Sequence, residues 1–317
     1  MSGHGEFDLI REFFTRPARD ASVVLGIGDD AALLAVPAGD VLAVTTDTLV
    51  AGRHFPEEAA AADIGWKSLA VNLSDLAAMG ATARWVTLAI TLPDNNEPFL
   101  REFSRGFFAL ADQENVRLVG GDTTRGPLAI TVTAMGTLPA AAAIRRDGAR
   151  AGDDLYVSGT VGDAGLGLRL ALDQWPDELA PANRDTALAR LHRPHPRLAL
   201  GAALRGVASA GLDVSDGVAQ DLGHLLRASG VGAELELDAL PMSTALQAID
   251  PAFAVILALT SGDDYELLFT APPAMRDAIA ALPVRCTRIG CITASPGLVL
   301  LRNGQPVDMP VAGYTHF

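Results

Sequence analysis

Lysine is almost missing from this sequence: Lys67 is the only one in 317 residues, and it follows Trp66 rather than a glycine loop. A G-x-x-x-x-G-K-[ST] phosphate cradle is therefore excluded. Positive charge is scarce in general, with 24 Lys and Arg against 38 Asp and Glu and a net charge of −14. That balance excludes sequence-independent nucleic-acid binding through a basic patch. Cysteine is limited to Cys286 and Cys291 in one predicted strand region near the C-terminus. Two cysteines make neither a four-ligand zinc site nor a disulfide framework, and as small buried hydrophobes they need no further role. No uninterrupted apolar run reaches membrane-spanning length. The opening MSGHGEFDLIREFF carries Glu6, Asp8 and Glu12 among its apolar residues, which a secretory h-region does not tolerate. The expectation is a cytoplasmic protein with neither membrane nor nucleic acid as partner.

What is present is core-forming material. Hydrophobic residues make up 49% of the chain, and the length suggests two domains. Periodicity and breakers predict a helix near 6–15, strands near 31–36 and 41–46, and a long helix near 62–79. A strand near 84–92, a helix near 97–114, a short strand near 116–119 and a strand near 128–138 follow. Residues 139–153, with Pro139, an alanine run and "RRDGARAGDD", read as a connection. The pattern then restarts with the strand "LYVSG", helices near 163–173 and 197–208, and "GLDVSDG" as a strand ending in a turn. Helix 217–229 and strands 232–237 and 265–270 continue it, so both halves read as α/β, without a short-period repeat.

Aspartate punctuates this pattern: "GIGDD" with Asp30, "TTDTLV" with Asp47, "NLSDLAAMG" with Asp75, "GGDTTRG" with Asp122, "DVSDG" with Asp213 and Asp216, and "SGDDYE" with Asp263 and Asp264. Several stand where a predicted strand meets a Gly or Ser/Thr turn, the end of an α/β sheet at which ligands bind. Each stretch also has a plain reading. "GIGDD" and "GGDTTRG" would serve as turns, and Ser215 or Asp216 would cap the following helix. Asp75 belongs with Ser68 and Asn72 to a narrow polar stripe beside Leu69, Leu73 and Leu76, either a solvated helix edge or a carboxylate at the core boundary. Taken together, converging carboxylates and hydroxyls are hard oxygen ligands suited to Mg2+. Bound divalent ions would let an acidic protein bind a polyphosphate without lysines.

The stretches "GIGDDAALL", "TTDTLVAGRHF", "KSLAVNLSDLAAMGA", "GGDTTRGPL", "DVSDGVAQDLGHLL" and "GDDYELLF" occur in the order seen in the thiamine-monophosphate kinase family of the aminoimidazole-ribonucleotide synthetase-like superfamily, and the chain resembles it from "GEFDLI" to "GYTHF". The resemblance implies an α/β (α+β) fold of two domains. Residues 1–138 would be an N-terminal α/β domain that binds ATP and Mg2+ and dimerises into a β-barrel; residues 150–317 would be a C-terminal α/β domain. It implies a homodimer with several Mg2+ ions and ATP as cosubstrate. Asp30, Thr45, Thr46, Asp47, Asp75, Asp122, Asp213 and Asp216 would be the metal set, Gly121, Asp122, Arg146 and Ser215 nucleotide contacts, and His54 and Glu266 thiamine-phosphate contacts. His54 as a loop histidine and Arg146 as a solvated linker charge are the plain alternatives. One departure stands out: Val311 occupies a place where a substrate-side aromatic is expected.

The implied reaction moves the γ-phosphoryl group of ATP onto thiamine monophosphate, giving thiamine diphosphate. An anionic acceptor needs no strong general base, in keeping with a motif set that holds many carboxylates and no His-Asp or Ser-His pair. No catalytic side chain is therefore assigned; alignment and charge neutralisation, assisted by metal, remain as the work to be done. The alternatives are a ring-closing ligase or selenophosphate-type synthetase of the same superfamily, or a maturation protein that binds ATP without turnover. The synthetase normally needs an N-terminal Cys or selenocysteine and a nearby Lys, and the first 60 residues hold neither.

Overall fold

The computed structural model describes residues 6–16, 20–175 and 178–309, and the chain divides into two compact units. The first runs to Leu76 and resumes over Ala81–Ala141; the second comprises Ala77–Gly80 and the chain from Ala142 onward. Among the described residues no helix is long and apolar enough to cross a membrane.

In the first unit, α1 (Glu6–Leu9) continues as a π-helical stretch to Phe14, and β1 (Val23–Leu25) pairs antiparallel with β2 (Leu33–Leu34). Then come β3 (Asp40–Val50), α2 (Ala61–Ala78), β4 (Thr82–Leu92), α3 (Glu97–Gln113), β5 (Arg117–Arg125) and β6 (Ala129–Pro139). The sheet order is β3-β6-β4-β5, with β4 and β5 parallel and the other pairs antiparallel. It is an open sheet whose edges are β3 and β5. Asn96 caps α3 by accepting from the Phe99 amide, and Pro98 sits in the first turn where its missing N–H costs nothing. The apolar stripe of α3 buries Leu100, Phe103, Phe107 and Leu110. Where α2 and α3 cross, a Cβ on Gly65 would lie 2.1 Å from the Phe103 carbonyl oxygen and one on Gly106 1.8 Å from that of Ala62. The helices touch backbone to backbone.

The second unit contains β7 (Asp154–Ser158), α4 (Asp163–Ala171), α5 (Pro181–His192), α6 (Leu198–Ala203), β8 (Ala210–Asp213), α7 (Val218–Ser229) and β9 (Gly232–Glu236). It continues with α8 (Thr244–Gln247), α9 (Pro251–Thr260), β10 (Leu267–Ala271), α10 (Arg276–Ala280), β11 (Cys286–Thr293), β12 (Gly297–Arg302) and β13 (Gln305–Val307). Its sheet order is β13-β12-β9-β11-β7-β10-β8, and only β12 and β9 run parallel. Period-two alternation on β7 divides the core: Leu155 and Val157 join the cluster of Leu212, Leu222 and Leu268, while Tyr156 stacks on Phe269 at 5.3 Å on the other face.

Several expected elements change in extent. The strand near 31–36 shrinks to Leu33–Leu34, and the strand at 41–46 lengthens to Asp40–Val50. Helix 197–208 ends at Ala203, and the short strand at 116–119 extends to Arg125, so "GGDTTR" is strand rather than turn. The sheets are mostly antiparallel, so the placement of ligands at the carboxyl ends of parallel strands does not locate this site.

Candidate active site

The polar stripe of α2 faces β3 and is not a solvated helix edge. Ser68 and Asn72 are buried and Asp75 half-buried. Thr45 Oγ1 donates to Asp75 Oδ2 at 2.5 Å, and the Asp47 amide donates to Asn72 Oδ1 at 3.0 Å. Asn72 in turn donates to the Ser68 carbonyl, and Ser68 to that of Gly65. The helical spacing of 68, 72 and 75 thus meets the strand spacing of 45 and 47. Burial, followed by repulsion from Asp75, pushes the Asp47 carboxyl up to about 6. Two carboxylates and a threonine hydroxyl held this way are hard donors that fit Mg2+, and a cation would relieve the repulsion between them.

Past the end of β3 the chain turns at His54, whose Nδ1 accepts from the Val50 amide at 3.0 Å. That bond makes Nε2 the protonated nitrogen of the neutral ring. Lys67, buried on α2, donates to the His54 carbonyl at 3.2 Å. The single lysine supports a backbone turn.

Across the sheet the register runs Asp47, Val132, Leu88, Gly121, and one row on Thr48, Thr131, Ala89, Asp122. Asp122 is exposed on the same sheet face as Thr46 and Thr48, whose hydroxyls pair with Thr133 and Thr131. Thr45 and Asp47 point to the other face. Asp47 and Asp122 also stand on opposite edge strands, three spacings or roughly 14 Å apart. Gly121 packs so close to β4 that a Cβ would lie 1.9 Å from the Leu88 carbonyl oxygen. Asp30 is exposed beside Asp29, and neither lines the cavity of about 650 Å3 that Val23, Gly26, Ile27, Phe108 and Leu118 help to form. Gly26 and Ile27 of "GIGDD" therefore edge a ligand-sized space. Among the described residues no three Asp, Glu, His or Cys side chains close on one point.

In the second unit Asp213 is buried at the end of β8 and pairs with Leu267, while Ser215 and Asp216 are half-buried in the loop before α7. Neither caps α7: its N-cap is Gly217, without a side-chain bond. Asp221 serves the loop instead, accepting from the amides of Ser215, Asp216 and Gly217. Burial pushes its carboxyl up to about 6 against the lowering effect of those amides. Arg146 is exposed; its carbonyl accepts from Ser229 Oγ.

Glu266 is fully buried, and its oxygens are held inside the unit. Ser158 donates to it at 2.5 Å, Arg190 at 2.9 Å and Arg197 Nε at 2.7 Å, with a second bond from Arg197. Nearby Asp264 accepts from the amides of Gly162 and Ala164, and burial pushes it up to about 8 despite Arg190. Asp263 and Tyr265, on either side, adopt positive φ of 68° and 50°, a conformation that the surrounding bonds must hold. Arg190 and Arg197 carried no sequence signal beyond residue type, and Asp221 lay inside the "DVSDGVAQDLGHLL" stretch with no role of its own assigned to it. Val311 lies outside the described residues.

Comparison with known proteins gives this arrangement a context. Residues 28–138 match the family model "AIR synthase related protein, N-terminal domain", and residues 150–302 match the corresponding C-terminal domain. Thiamine-monophosphate kinase of Salmonella typhimurium is 47% identical over 99% of this chain and 98% of its own length. The crystal structure of thiamine-monophosphate kinase from Stenotrophomonas maltophilia superposes with a TM-score of 0.85 at 48% identity, covering 91% of this chain and 93% of that one. AaThiL complexed with AMPPCP and TMP superposes with a TM-score of 0.78 at 31% identity, over 89% of each chain.

Proposed function

The chain belongs to the thiamine-monophosphate kinase family of AIR synthase related proteins, and from that premise we propose that it phosphorylates thiamine monophosphate to thiamine diphosphate at the expense of ATP. The observation that carries the reading is the Thr45, Asp47 and Asp75 group, a polar constellation built by α2 against β3 at the place where the family motifs lie. Binding of an ATP analogue and TMP by AaThiL supports the same pair of substrates here.

In the proposed site Asp30, Thr45, Thr46, Asp47, Asp75, Asp122, Asp213 and Asp216 hold Mg2+, which when bound neutralises charge on the phosphates. Gly121, Asp122, Arg146 and Ser215 contact ATP. His54 contacts the thiamine phosphate directly, and Glu266 acts through Arg190 and Arg197, the two arginines it orients. The acceptor oxygen is already anionic, so the protein's task is to align two repelling phosphates and exclude misdirected attack. Direct in-line transfer, without a phosphorylated enzyme, follows from the lack of an activated nucleophile in the motif set.

A homodimer in the cytoplasm completes the reading. Leu42 and Val44 stand on the open face of β3, 44% and 58% exposed, beside the Thr46 and Thr48 hydroxyls. Covering that face with a second copy buries these apolar residues.

Acceptor choice tests the proposal. In an ADP-release assay with ATP and Mg2+, thiamine monophosphate turns over and free thiamine does not, because a hydroxyl acceptor would need a base. Comparable rates with both acceptors contradict it.

A further inference from the structure

α7 begins without help from the residues before it. Gly217, at its N-cap, has φ of +116°, a conformation L side chains rarely adopt, and a Cβ there would meet the Thr260 backbone carbonyl at 2.8 Å. The group that organises this end comes from inside the helix. Asp221 reaches back along the direction in which helical side chains lean, and its single oxygen Oδ2 accepts from Ser215, Asp216 and Gly217 at 3.0, 2.9 and 3.1 Å. Three successive amides turned onto one carboxylate oxygen fix the loop's backbone. One residue earlier on α7, Gln220 Nε2 donates to Asp216 Oδ2 at 3.1 Å. On the loop's other side the Asp263 amide donates to the Ser215 carbonyl at 2.9 Å, and Gly262 packs where a Cβ would lie 2.2 Å from that oxygen.

We propose that Asp221 and Gln220 are positioning residues for the nucleotide triphosphate and its divalent cation: Asp221 shapes the 215–217 backbone, and Gln220 aims the Asp216 carboxylate. The inference rests on the reading of Ser215 and Asp216 as contacts to ATP and Mg2+. A helix cap would account for stability alone; a positioning pair also prepares ligand oxygens in advance, so that binding does not have to order the loop. Asparagine at 221 keeps the shape but loses the charge, and charge-assisted hydrogen bonds are about twice as strong as neutral ones.

The test uses the full chain and calorimetric titration of AMPPCP with Mg2+, which requires no turnover, together with amide exchange at residues 215–217 and steady-state kinetics. Asp221→Asn is expected to weaken analogue binding about tenfold, speed exchange at the three amides and raise KM for ATP, with KM for thiamine monophosphate within about twofold of wild type. Gln220→Ala is expected to weaken analogue binding about three- to fivefold with little change in melting temperature. Wild-type affinity in both variants, whatever their melting temperatures, overturns the proposal. Should Asp221→Asn not fold, Gln220→Ala decides alone. Failure of the wild type to bind the analogue overturns the nucleotide reading first and this inference with it, a result separable from loss of affinity in the variants only.

Discussion

Asp47 carries a cost of the site before any ligand arrives. Burial and Asp75 raise its carboxyl from an ordinary 3.8 to about 6. Between those values the unfolded chain has released a proton that the folded chain still holds, so stability falls as pH rises from about 4 to about 6 and is level above. After allowance for the solvent that still reaches the group, that loss is about 1–2 kcal/mol. Melts in EDTA across this range should show a steeper decline for wild type than for Asp47→Asn; equal slopes would remove the assigned strain. Asp30 is exposed beside Asp29, and its replacement by Asn is expected to leave the metal-free melt unchanged. At this scale the stripe of Ser68, Asn72 and Asp75 was legible because helical period alone puts the three side chains together. The surroundings of Glu266 were not: its partners Ser158, Arg190 and Arg197 stand 108, 76 and 69 positions away, and no local pattern announces a bond between such distant residues.

The elements show the same division between local and non-local causes. Helices expected at 62–79 and 97–114 appear as Ala61–Ala78 and Glu97–Gln113, because a long helical run of apolar residues is written in consecutive positions, and the second also has Asn96 as its cap. β5 was half hidden. Its Gly120, Gly121 and Asp122 have turn chemistry, yet parallel pairing with β4 keeps them extended. The crossing of α2 and α3 gives a prediction whose sign separates propensity from packing. In an isolated helix Gly106→Ala would stabilise by about 1 kcal/mol. Here the methyl group would press on the Ala62 carbonyl, and overpacking of this kind costs about 1–3 kcal/mol. A lower melting temperature for Gly106→Ala is expected; an equal or higher one would mean the helices can part freely.

For the whole molecule, each unit has a sheet and a core of its own, and the proposed active form is a homodimer. Sedimentation should find the wild type as a dimer. Val44→Lys, which places a charge on the open face of β3, should yield monomers with at least about tenfold less activity, since an unpaired charge buried in an interface costs several kcal/mol. A persistent dimer, or a fully active monomer, would argue against that face. The molecule also carries a net charge of −14, and Asp75 adds local repulsion at Asp47, which a metal-free chain bears uncompensated. The decisive measurement is therefore the thermal melt of wild type and Asp75→Asn, first in EDTA and then in Mg2+. The account predicts that the variant melts at or above the wild type without metal and loses part of the Mg2+-induced rise, which for one site at a hundredfold excess over Kd is about 2.7 kcal/mol. A variant that melts below the wild type in EDTA and keeps the full response to Mg2+ would contradict it.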